Sequence, residues 1–580
     1  MTRGAETKQQ TARRFVGRVT LVMALFAVAA SSLVARAVYL QVLDKDFLNQ
    51  QADTRHLRTE RIIAHRGTIT DRNGEPLAIS TPVDSVWVNP DEFAPAVDKI
   101  PQLARILDIR PETLMRRITR SMDKEFLYLK RHLDPSTAGE VMALKLPGVN
   151  VQREYRRYYP ASEVTGHLVG FTNIDDAGQE GLELAMDHWL QGEPGAKRVL
   201  KDRLGRSIEN VASIRPPRHG RDLRTSIDLR LQYLAYRTLK QAVKTHSARS
   251  GSIVILDVQT GEVLAMVNQP TYNPNDRSQL VPERYRNRAI TDIFEPGSSF
   301  KPIVAAAAIE AGMYRPTSVI DTSPGFVTVG PKKIEDTRNL GRVSLTTILA
   351  RSSNVGITKV AMTLQPDQLW ETMRHFGLGE MTSSLFPGES AGMLSHYRDW
   401  REVTQATIAY GYAVSVTPLQ LAQAYAAIGN DGIMQPVSLL ANDERDGGER
   451  VISTDTAHDV RRMLEEVVRP GGTGTKASVD GYRIAGKTGT AWKSAPGGYS
   501  EDKYFSIFAG LAPASNPRLA TVVVIDEPSG ELYYGSDVAA PVFADVMAES
   551  LRLLAVAPDN MPARDPGNVM QAMADAAVSQ

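Results

Sequence analysis

A single uncharged segment near the N-terminus constrains the fold more than any other feature of this sequence. Residues 19–35 carry no charge over 17 positions, which corresponds to about 26 Å of α-helix. Arg36 follows, but an arginine near a helix end can extend its charged group toward the polar interface, and the apolar run resumes at residues 37–40. Because this length is sufficient to cross a hydrocarbon core of about 30 Å, we predict a transmembrane anchor at residues 19–40.

The residues on either side of this segment predict its orientation. Five of the six charged residues before it are basic, and Asp44 and Asp46 follow it. Because basic residues favour the cytoplasmic side, residues 1–18 are predicted to be a cytoplasmic tail. A cleaved signal peptide, with Ala27-Val28-Ala29 at the cleavage site, and a buried core helix are the alternatives. The apolar run beyond that site and the basic residues before the segment favour a retained anchor.

The overall composition excludes several classes of protein. Lys and Arg number 67 against 66 Asp and Glu, a net charge of +1, whereas a nucleic-acid-binding protein normally has a clear basic excess. The chain contains no cysteine, which excludes disulfides, thiolate metal sites and a cysteine nucleophile. Its 10 histidines lack the spacing of metal ligands, and we predict neither a metal nor another cofactor.

Beyond the anchor, the chain is predicted to form two folded regions. Residues 41–220 are rich in charge and turn signals without a reactive constellation, so we predict a non-catalytic, extended pedestal that ends near Pro216-Pro217. In residues 221–557, a strand hairpin precedes a long helical stretch, and two apolar strands follow it. This order predicts an α+β fold, in which helices flank an antiparallel sheet built from both ends of the region. Residues 558–580 have no clear period and are predicted to be a disordered tail.

The first chemical signal is the pair Ser298 and Lys301. Pro296-Gly297 followed by serine is typical of a helix start, which places Ser298 at a helix N-terminus and Lys301 one turn later on the same face. A serine hydroxyl is a poor nucleophile until a neighbouring base accepts its proton, and the N–H groups of a helix N-terminus can stabilise an oxyanion. A lone Ser-x-x-Lys pattern, however, is usually an ordinary helix face.

Two further motifs follow in the same predicted domain. Ser352-Ser353-Asn354 comes after a helical run and offers a second hydroxyl and an amide; taken alone, it is a polar turn at a helix end. Lys487-Thr488-Gly489-Thr490 lies in a predicted edge strand, with glycines at close backbone approaches. The three motifs in this order are typical of serine acylases that react with penicillin, and they predict acyl transfer through a covalent serine intermediate.

With these motifs, residues 15–557 resemble the class B penicillin-binding proteins, the peptidoglycan D,D-transpeptidases, and are most similar to their division-specific FtsI type. The resemblance also rests on pedestal motifs at residues 66–78, 156–160, 167–171 and 178–183. It implies a penicillin-binding transpeptidase domain of the serine β-lactamase-like fold and a pedestal similar to the family's dimerisation domain. One departure is Ala413, where the family usually has glycine.

The resemblance implies a role for each residue of the first two motifs. Ser298 would attack the carbonyl between the two terminal D-alanines of a peptidoglycan stem peptide, with Lys301 as general base. Ser352 would pass a proton to the departing D-alanine, and Asn354 would hold the substrate amide. An amine from a neighbouring stem peptide would then resolve the acyl-enzyme, whereas a β-lactam would leave Ser298 stably acylated.

The third motif is implied to bind and polarise the substrate. Lys487 would contribute positive charge, and Thr488, Gly489 and Thr490 would form the site for the substrate's terminal carboxylate. The backbone N–H groups of Ser298 and Thr490 would form the oxyanion hole.

The resemblance also implies a location and partners. It indicates a single-pass protein of the bacterial inner membrane with its catalytic domain in the periplasm, acting at the division septum. Stem peptides and β-lactams are the implied ligands, and a SEDS-type glycan polymerase and other division proteins are the implied partners. The alternatives are a D,D-carboxypeptidase or β-lactam-hydrolysing enzyme, which the pedestal argues against, and a division scaffold or β-lactam sensor. A sensor would need a cytoplasmic signalling domain, for which residues 1–18 are too short.

Overall fold

The computed structural model describes residues 3–43, 57–201, 207–441, 447–495 and 497–560. Asp44 and Asp46, which contributed to the predicted orientation of the anchor, lie outside the described residues, as do residues 561–580 of the predicted tail.

The predicted anchor is part of one long helix. An α-helix spans Arg3–Val38 and continues as a π-helix over Tyr39–Leu43. Within it, Phe15–Gln41 is 27 residues long and apolar enough to cross a membrane, and it is the one such helix in the described ranges. Its apolar side chains are exposed, whereas a core helix buries its apolar face, so the alternative of a buried core helix is wrong.

The chain folds into two compact units whose segments alternate along the sequence. The first comprises residues 1–64, 84–154 and 193–219, and the second comprises residues 65–83, 155–192 and 220–580. The domain bounds predicted from the sequence, at residues 40, 220 and 557, stay predictions.

The first unit has a small core between helices and strands. Its helices are Pro90–Phe93, Ile100–Leu107, Pro111–Thr119 and Pro135–Ala143, and strand Leu127–Leu133 pairs antiparallel with the end of strand Pro76–Val88. Leu103, Leu107 and Leu114 of the helices are fully buried with Val86 of the strand. A separate antiparallel sheet consists of Leu57–Ile62, Gly195–Lys201 and Ser207–Arg215.

The second unit is built on a five-stranded antiparallel sheet. Its strand order is Val263–Gln269, Ser250–Asp257, Leu519–Asp526, Gly498–Ala512 and Ala485–Ala495. The first two strands come from the start of this region and the other three from its end, so the predicted α+β fold with an antiparallel sheet from both ends is confirmed. The strand that contains the Lys-Thr-Gly motif lies at the edge of the sheet.

Both faces of this sheet are covered by helices, which explains why the central strands contain continuous apolar runs at residues 253–256 and 522–525. Ile253 and Ile255 pack on the face covered by helices Leu229–Thr245 and Ala539–Leu553. Val254 and Leu256, whose side chains point the opposite way along the same strand, belong to the larger core on the other face. The helices of that face are Lys301–Glu310, Leu345–Ala350, Asn354–Ala361, Pro366–His375, Glu402–Ile408, Pro418–Gly429 and Thr454–Val468.

Short elements complete the second unit. Two-stranded antiparallel ladders join Val319–Asp321 to Arg342–Ser344, Phe326–Val329 to Lys332–Glu335, Met393–Leu394 to Val414–Ser415, and Ile433–Met434 to Glu449–Arg450. Ile69–Thr70 pairs with the start of Pro76–Val88 and with Leu223–Arg224. The short helices are Gly166–Val169, Gly181–Ala185, Asp187–Leu190, Pro282–Tyr285 and Arg288–Thr291.

Three charged residues of separate pedestal motifs meet inside the second unit. Arg66 Nε donates to Glu183 Oε2 and Arg157 Nε donates to Glu183 Oε1, each at 2.6 Å. The three side chains are at most 1% exposed. Because a buried charge is costly unless it is paired, each arginine depends on the same carboxylate, and the three motifs form one buried ion cluster.

Candidate active site

The first motif forms a turn that leads into a buried helix. A 3-10 turn covers Gly297–Phe300, and the α-helix Lys301–Glu310 follows directly. Gly297 has a φ of +55°, a conformation that glycine adopts without the Cβ penalty of other residues. Ser298 is half-buried, and among the described residues its hydroxyl makes no hydrogen bond, whereas the neighbouring Ser299 is buried and donates to Pro296 O at 2.7 Å. The Ser298 hydroxyl therefore has its bonding capacity free.

Lys301 connects the first motif to the second. Its side chain is completely buried, and its Nζ donates to Ser352 O at 2.6 Å, to Asn354 Oδ1 at 2.7 Å and to Ser352 Oγ at 3.2 Å. Three acceptors match the three donors of an ammonium group. The predicted site residues of the first two motifs are thus brought together, with Lys301 bonded to the second motif rather than to Ser298.

The third motif reaches the same hydroxyl. Lys487 is completely buried, and its Nζ donates to Ser352 Oγ at 3.0 Å and to Thr488 O at 3.1 Å. Ser352 itself has a φ of +59°, which is unfavourable for a residue with a Cβ and is most often found at functional sites. Ser352 Oγ therefore lies between two lysines, one from the nucleophile helix and one from the edge strand.

Burial changes the protonation of both lysines. It lowers the pKa of Lys487 to about 7. Burial also lowers the pKa of Lys301 well below its ordinary value; the Lys487 charge acts in the same direction, and the carboxylate of Asp336 opposes it. A lysine whose pKa is lowered is neutral over a wider pH range, and a neutral amine can accept a proton.

Two glycines allow the edge strand to approach the nucleophile turn. A Cβ at Gly489 would lie 2.9 Å from Pro296 O, and a Cβ at Gly297 would lie 3.0 Å from Thr490 O. The first distance is too short for a real Cβ and the second is unusually tight, and Gly297 also has a positive φ, so glycines favour this close backbone approach. Thr490 follows at the cleft edge, where its Oγ1 accepts a hydrogen bond from Gly535 N at 2.9 Å.

Thr473 is a residue at this site that the sequence analysis missed. Its N–H donates to Ala350 O at 3.1 Å, next to the Ser-x-Asn turn. Its hydroxyl is 3.0 Å from the hydroxyl of Thr488 in the edge strand. Thr473 therefore links the second motif to the third, but it lies in a Gly- and Thr-rich loop whose sequence resembles any solvent-exposed turn.

Asp336 is a second residue that was missed. Its Oδ1 accepts hydrogen bonds from the N–H groups of Asn354 at 2.6 Å and of Val355 at 3.0 Å, and its Oδ2 accepts one from Ser353 Oγ at 2.5 Å. The carboxylate thus caps the helix that begins at the second motif. Asp336 follows the hairpin strand Lys332–Glu335, and no motif spacing links it to Ser352.

Two family profiles and several known proteins match most of this chain. The profile described as "Penicillin binding protein transpeptidase domain" matches residues 251–548, and that described as "Penicillin-binding Protein dimerisation domain" matches residues 61–225. The chain is 43% identical over 564 residues to "Peptidoglycan D,D-transpeptidase FtsI" of Escherichia coli K12, which covers 96% of this chain and 95% of that protein. It is 42% identical over 544 residues to "Probable peptidoglycan D,D-transpeptidase PbpC" of Pseudomonas aeruginosa, which covers 94% of this chain and 96% of that protein.

A solved structure extends the similarity to the fold. Penicillin-binding protein 3 of Mycobacterium tuberculosis, complexed with aztreonam, has a TM-score of 0.68 and 28% identity over 86% of this chain and 98% of that chain. The resemblance deduced from the sequence motifs is therefore confirmed: the chain belongs to the class B penicillin-binding proteins, among their FtsI-like members.

Proposed function

We propose that this protein is a peptidoglycan D,D-transpeptidase that cross-links stem peptides through an acyl-enzyme on Ser298. The observation that carries the proposal is the buried hydrogen-bond chain from Lys301 through Ser352 Oγ to Lys487, beside a half-buried serine whose hydroxyl makes no bond among the described residues. Such a chain can accept a proton from the nucleophile and return it to a leaving group.

In the first step, Ser298 Oγ attacks the carbonyl carbon between the two terminal D-alanines. Its proton moves to Lys301, and the carbonyl oxygen becomes an oxyanion held by the N–H groups of Ser298 and Thr490. When the C–N bond breaks, a proton passes from Lys301 through Ser352 to the amine of the leaving D-alanine. Asn354 holds the substrate amide with its side chain.

In the second step, an amine of a neighbouring stem peptide attacks the acyl-enzyme. That amine loses a proton to the same lysine chain, an amide bond forms as the ester bond to Ser298 Oγ breaks, and Ser298 takes a proton back from the lysine chain. In both steps, Lys487 contributes positive charge next to the oxyanion. In the first step, before D-alanine leaves, the hydroxyls of Thr488 and Thr490 bind its terminal carboxylate, which Gly489 allows to approach the strand.

The cellular setting is part of this proposal. The basic residues before the anchor support a cytoplasmic N-terminus, with the catalytic domain in the periplasm and a single pass through the inner membrane. Similarity to FtsI supports a role at the division septum. A SEDS-type glycan polymerase and other division proteins are the proposed partners, bound through the anchor and the pedestal.

The proposal extends to β-lactams as covalent ligands. Their strained amide copies the donor's terminal amide, so the same attack acylates Ser298 without releasing a leaving group that can diffuse away. The similar Mycobacterium tuberculosis protein was solved in complex with aztreonam, a monocyclic β-lactam, which supports this extension.

Labelling with fluorescent penicillin tests the assignment of the nucleophile. The full chain, purified in detergent, is expected to form a stable fluorescent adduct, and Ser298→Ala is expected to abolish it. Ser299→Ala is the matched control, because the Ser299 hydroxyl is buried and bonded to Pro296 O; it is expected to retain labelling. Labelling that persists in Ser298→Ala would overturn the assignment.

Two measurements address the other candidate functions. A hydrolase would turn over penicillin rapidly, so slow release of the adduct supports a transpeptidase and rapid release supports a D,D-carboxypeptidase or β-lactamase. If Ser298→Ala restored division to cells depleted of the protein, scaffolding alone would suffice. Filamentation on depletion supports a septal role, and rounding supports a role in elongation.

A further inference from the structure

A carboxylate outside the three motifs contacts the backbone of the second motif. Asp336 accepts from three consecutive residues, Ser353 through its hydroxyl and Asn354 and Val355 through their N–H groups, at 2.5, 2.6 and 3.0 Å. The Ser353 hydroxyl in turn accepts from Gly356 N at 2.8 Å. One carboxylate thus holds the whole first turn of the helix Asn354–Ala361.

The residue that this turn presents is held in an unfavourable conformation. Ser352 has a φ of +59°, and a left-handed conformation costs about 1–2 kcal/mol for a residue with a Cβ. Its carbonyl and hydroxyl oxygens both accept from Lys301 Nζ. Because the three residues after Ser352 are fixed by Asp336, the surrounding structure can maintain this strained geometry.

We infer that Asp336 is a positioning residue for acyl transfer, which holds the Ser352–Asn354 turn against Lys301 and supplies a negative charge that acts on this buried lysine. This inference rests on the proposed function, because it assigns Asp336 a role through Ser352 and Lys301. Asp336 does not contact the substrate in this scheme.

The charges around Lys301 make the inference testable. The ionisable groups that act on Lys301 are Lys487, on the edge strand, and Asp336, after the hairpin. Glu335, next to Asp336, is exposed and forms an ion pair with Lys333. Arg351, next to Ser352, is also exposed, so solvent screens both of these charges.

These charged groups determine in which direction the pKa of Lys301 changes when Asp336 is replaced. The negative charge of Asp336 raises the pKa of Lys301, against the effects of burial and of Lys487. Asp336→Asn removes the charge but keeps an oxygen for the N–H groups of Asn354 and Val355, so the pKa of Lys301 falls. Lys301 then loses its proton at lower pH. The acidic limb of the pH profile, where the acylation rate constant rises with pH, therefore shifts toward lower pH.

A purely structural helix cap predicts a different result. A capping carboxylate stabilises the start of a helix wherever it lies, and its loss would lower the rate or the stability without moving the pH profile. Asp228 is the matched control, since it is 1% exposed and caps the helix Leu229–Thr245 by accepting from Arg230 N at 3.0 Å. That helix covers the opposite face of the sheet.

The experiment measures the second-order rate constant for acylation by fluorescent penicillin, in the full chain in detergent, from pH 5 to pH 9. The acidic limb of Asp336→Asn is expected at lower pH than that of the wild type, and the limb of Asp228→Asn is expected to coincide with the wild type. An Asp336→Asn profile that coincides with the wild type, or an equal shift in both variants, would overturn the inference.

Ser353→Ala provides a second variant if Asp336→Asn does not fold. It removes the hydrogen bond to Asp336 and the one from Gly356 N but keeps the charge, so acylation is expected to be slower by at least about fivefold with an unshifted acidic limb. A rate equal to that of the wild type would overturn the positioning role. Failure of the wild type itself to react with penicillin would overturn the proposed function, whereas a reactive wild type with an unshifted Asp336→Asn profile overturns only this inference.

Discussion

Lys301 and Lys487, both completely buried, donate to the same oxygen atom, the hydroxyl of Ser352, at 3.2 and 3.0 Å. Two ammonium groups so close to one neutral acceptor repel each other, so full protonation of both is unfavourable. The pair therefore titrates as a unit, and burial, followed by the Lys487 charge, lowers the pKa of Lys301.

The first prediction concerns the alkaline limb of acylation. The pKa of Lys487 is lowered to about 7 by burial, so its positive charge is present below that pH and is lost as the pH rises through it. The second-order rate constant for acylation of the free enzyme is therefore expected to decline above about pH 7. Measurement of that constant with fluorescent penicillin at a series of pH values tests this decline.

Lys487→Arg separates charge from geometry at this position. Arginine stays protonated at every accessible pH, so the alkaline limb is expected to disappear. The plateau is expected to fall by about tenfold, because a guanidinium group cannot reproduce the bond of the ammonium group to Ser352. An alkaline limb at the same pH in both proteins would assign it to another group.

The second prediction concerns Thr473. Its hydroxyl is 3.0 Å from that of Thr488, and its N–H donates to Ala350 O. Thr473→Val keeps the shape but removes the hydroxyl bond, so Thr488 loses its fixed orientation toward the substrate carboxylate. We expect the acylation rate constant to fall by about fivefold, as for one lost hydrogen bond of about 1 kcal/mol.

Two variants test whether the hydroxyl of Thr473 is responsible. Thr473→Ser keeps it and is expected to restore most of the rate. Thr475→Val, at an exposed threonine of the same loop, is expected to behave as the wild type. Equal losses in Thr473→Val and Thr473→Ser would attribute the effect to the methyl group instead.

The third prediction concerns Ala413, the position where the family usually has glycine. Its φ is +60°, and its N–H donates to Glu295 Oε1 at 2.8 Å. The left-handed conformation costs about 1–2 kcal/mol with a Cβ, whereas glycine adds about 0.5–1 kcal/mol of chain entropy to lose on folding. Ala413→Gly is therefore expected to raise the free energy of unfolding by about 0.5–1 kcal/mol.

Ala409→Gly, four residues earlier, is the control in which glycine replaces an alanine of ordinary helical conformation. Ala409 ends the helix Glu402–Ile408 with a φ of −52° and is fully buried, so glycine relieves no strain there and loses buried surface. This variant is expected to lower the free energy of unfolding by about 1 kcal/mol. Denaturant unfolding of both variants measures the difference, and a loss of stability in Ala413→Gly would contradict the strain argument.

The sequence could predict the sheet and the motif residues for different reasons. The centre of strand Ser250–Asp257, residues 253–256, is an apolar run because both faces of the sheet are covered. Ser298 and Lys301 were recognisable because their spacing reflects one helical turn, and the Lys487–Thr490 segment because its glycine approaches the turn that contains Ser298. The structure brings these residues together, and their individual roles stay predictions.

Asp336 and Thr473 were beyond sequence reasoning for a physical reason. Each acts through contacts to residues that are distant in the chain, Asp336 to the turn at Asn354 and Thr473 to Thr488 in the edge strand. A hydrogen bond of this kind requires no fixed spacing and leaves no periodic pattern. Glu183 lies in a motif that was visible in the sequence, but its pairing with arginines from two other segments leaves no such pattern either.

The fourth prediction concerns that carboxylate. Glu183 is fully buried and accepts from Arg66 and Arg157, whose side chains are each 1% exposed. Removing one partner of a buried ion pair typically costs about 3–5 kcal/mol, because the remaining charge is left unpaired. Glu183→Gln removes the carboxylate that pairs with Arg157 and leaves Arg66 paired with Asp187. We expect the free energy of unfolding to fall by about 3–5 kcal/mol.

Glu180→Gln is the control for this loss, because Glu180 lies in the same motif but forms no ion pair among the described residues and is only partly buried. Denaturant unfolding of the full chain in detergent compares the two variants with the wild type. The Glu183→Gln midpoint is expected to move far below that of Glu180→Gln. Similar midpoints would mean that solvent reaches the two arginines after the change, and the cluster would then contribute specificity to the fold rather than stability.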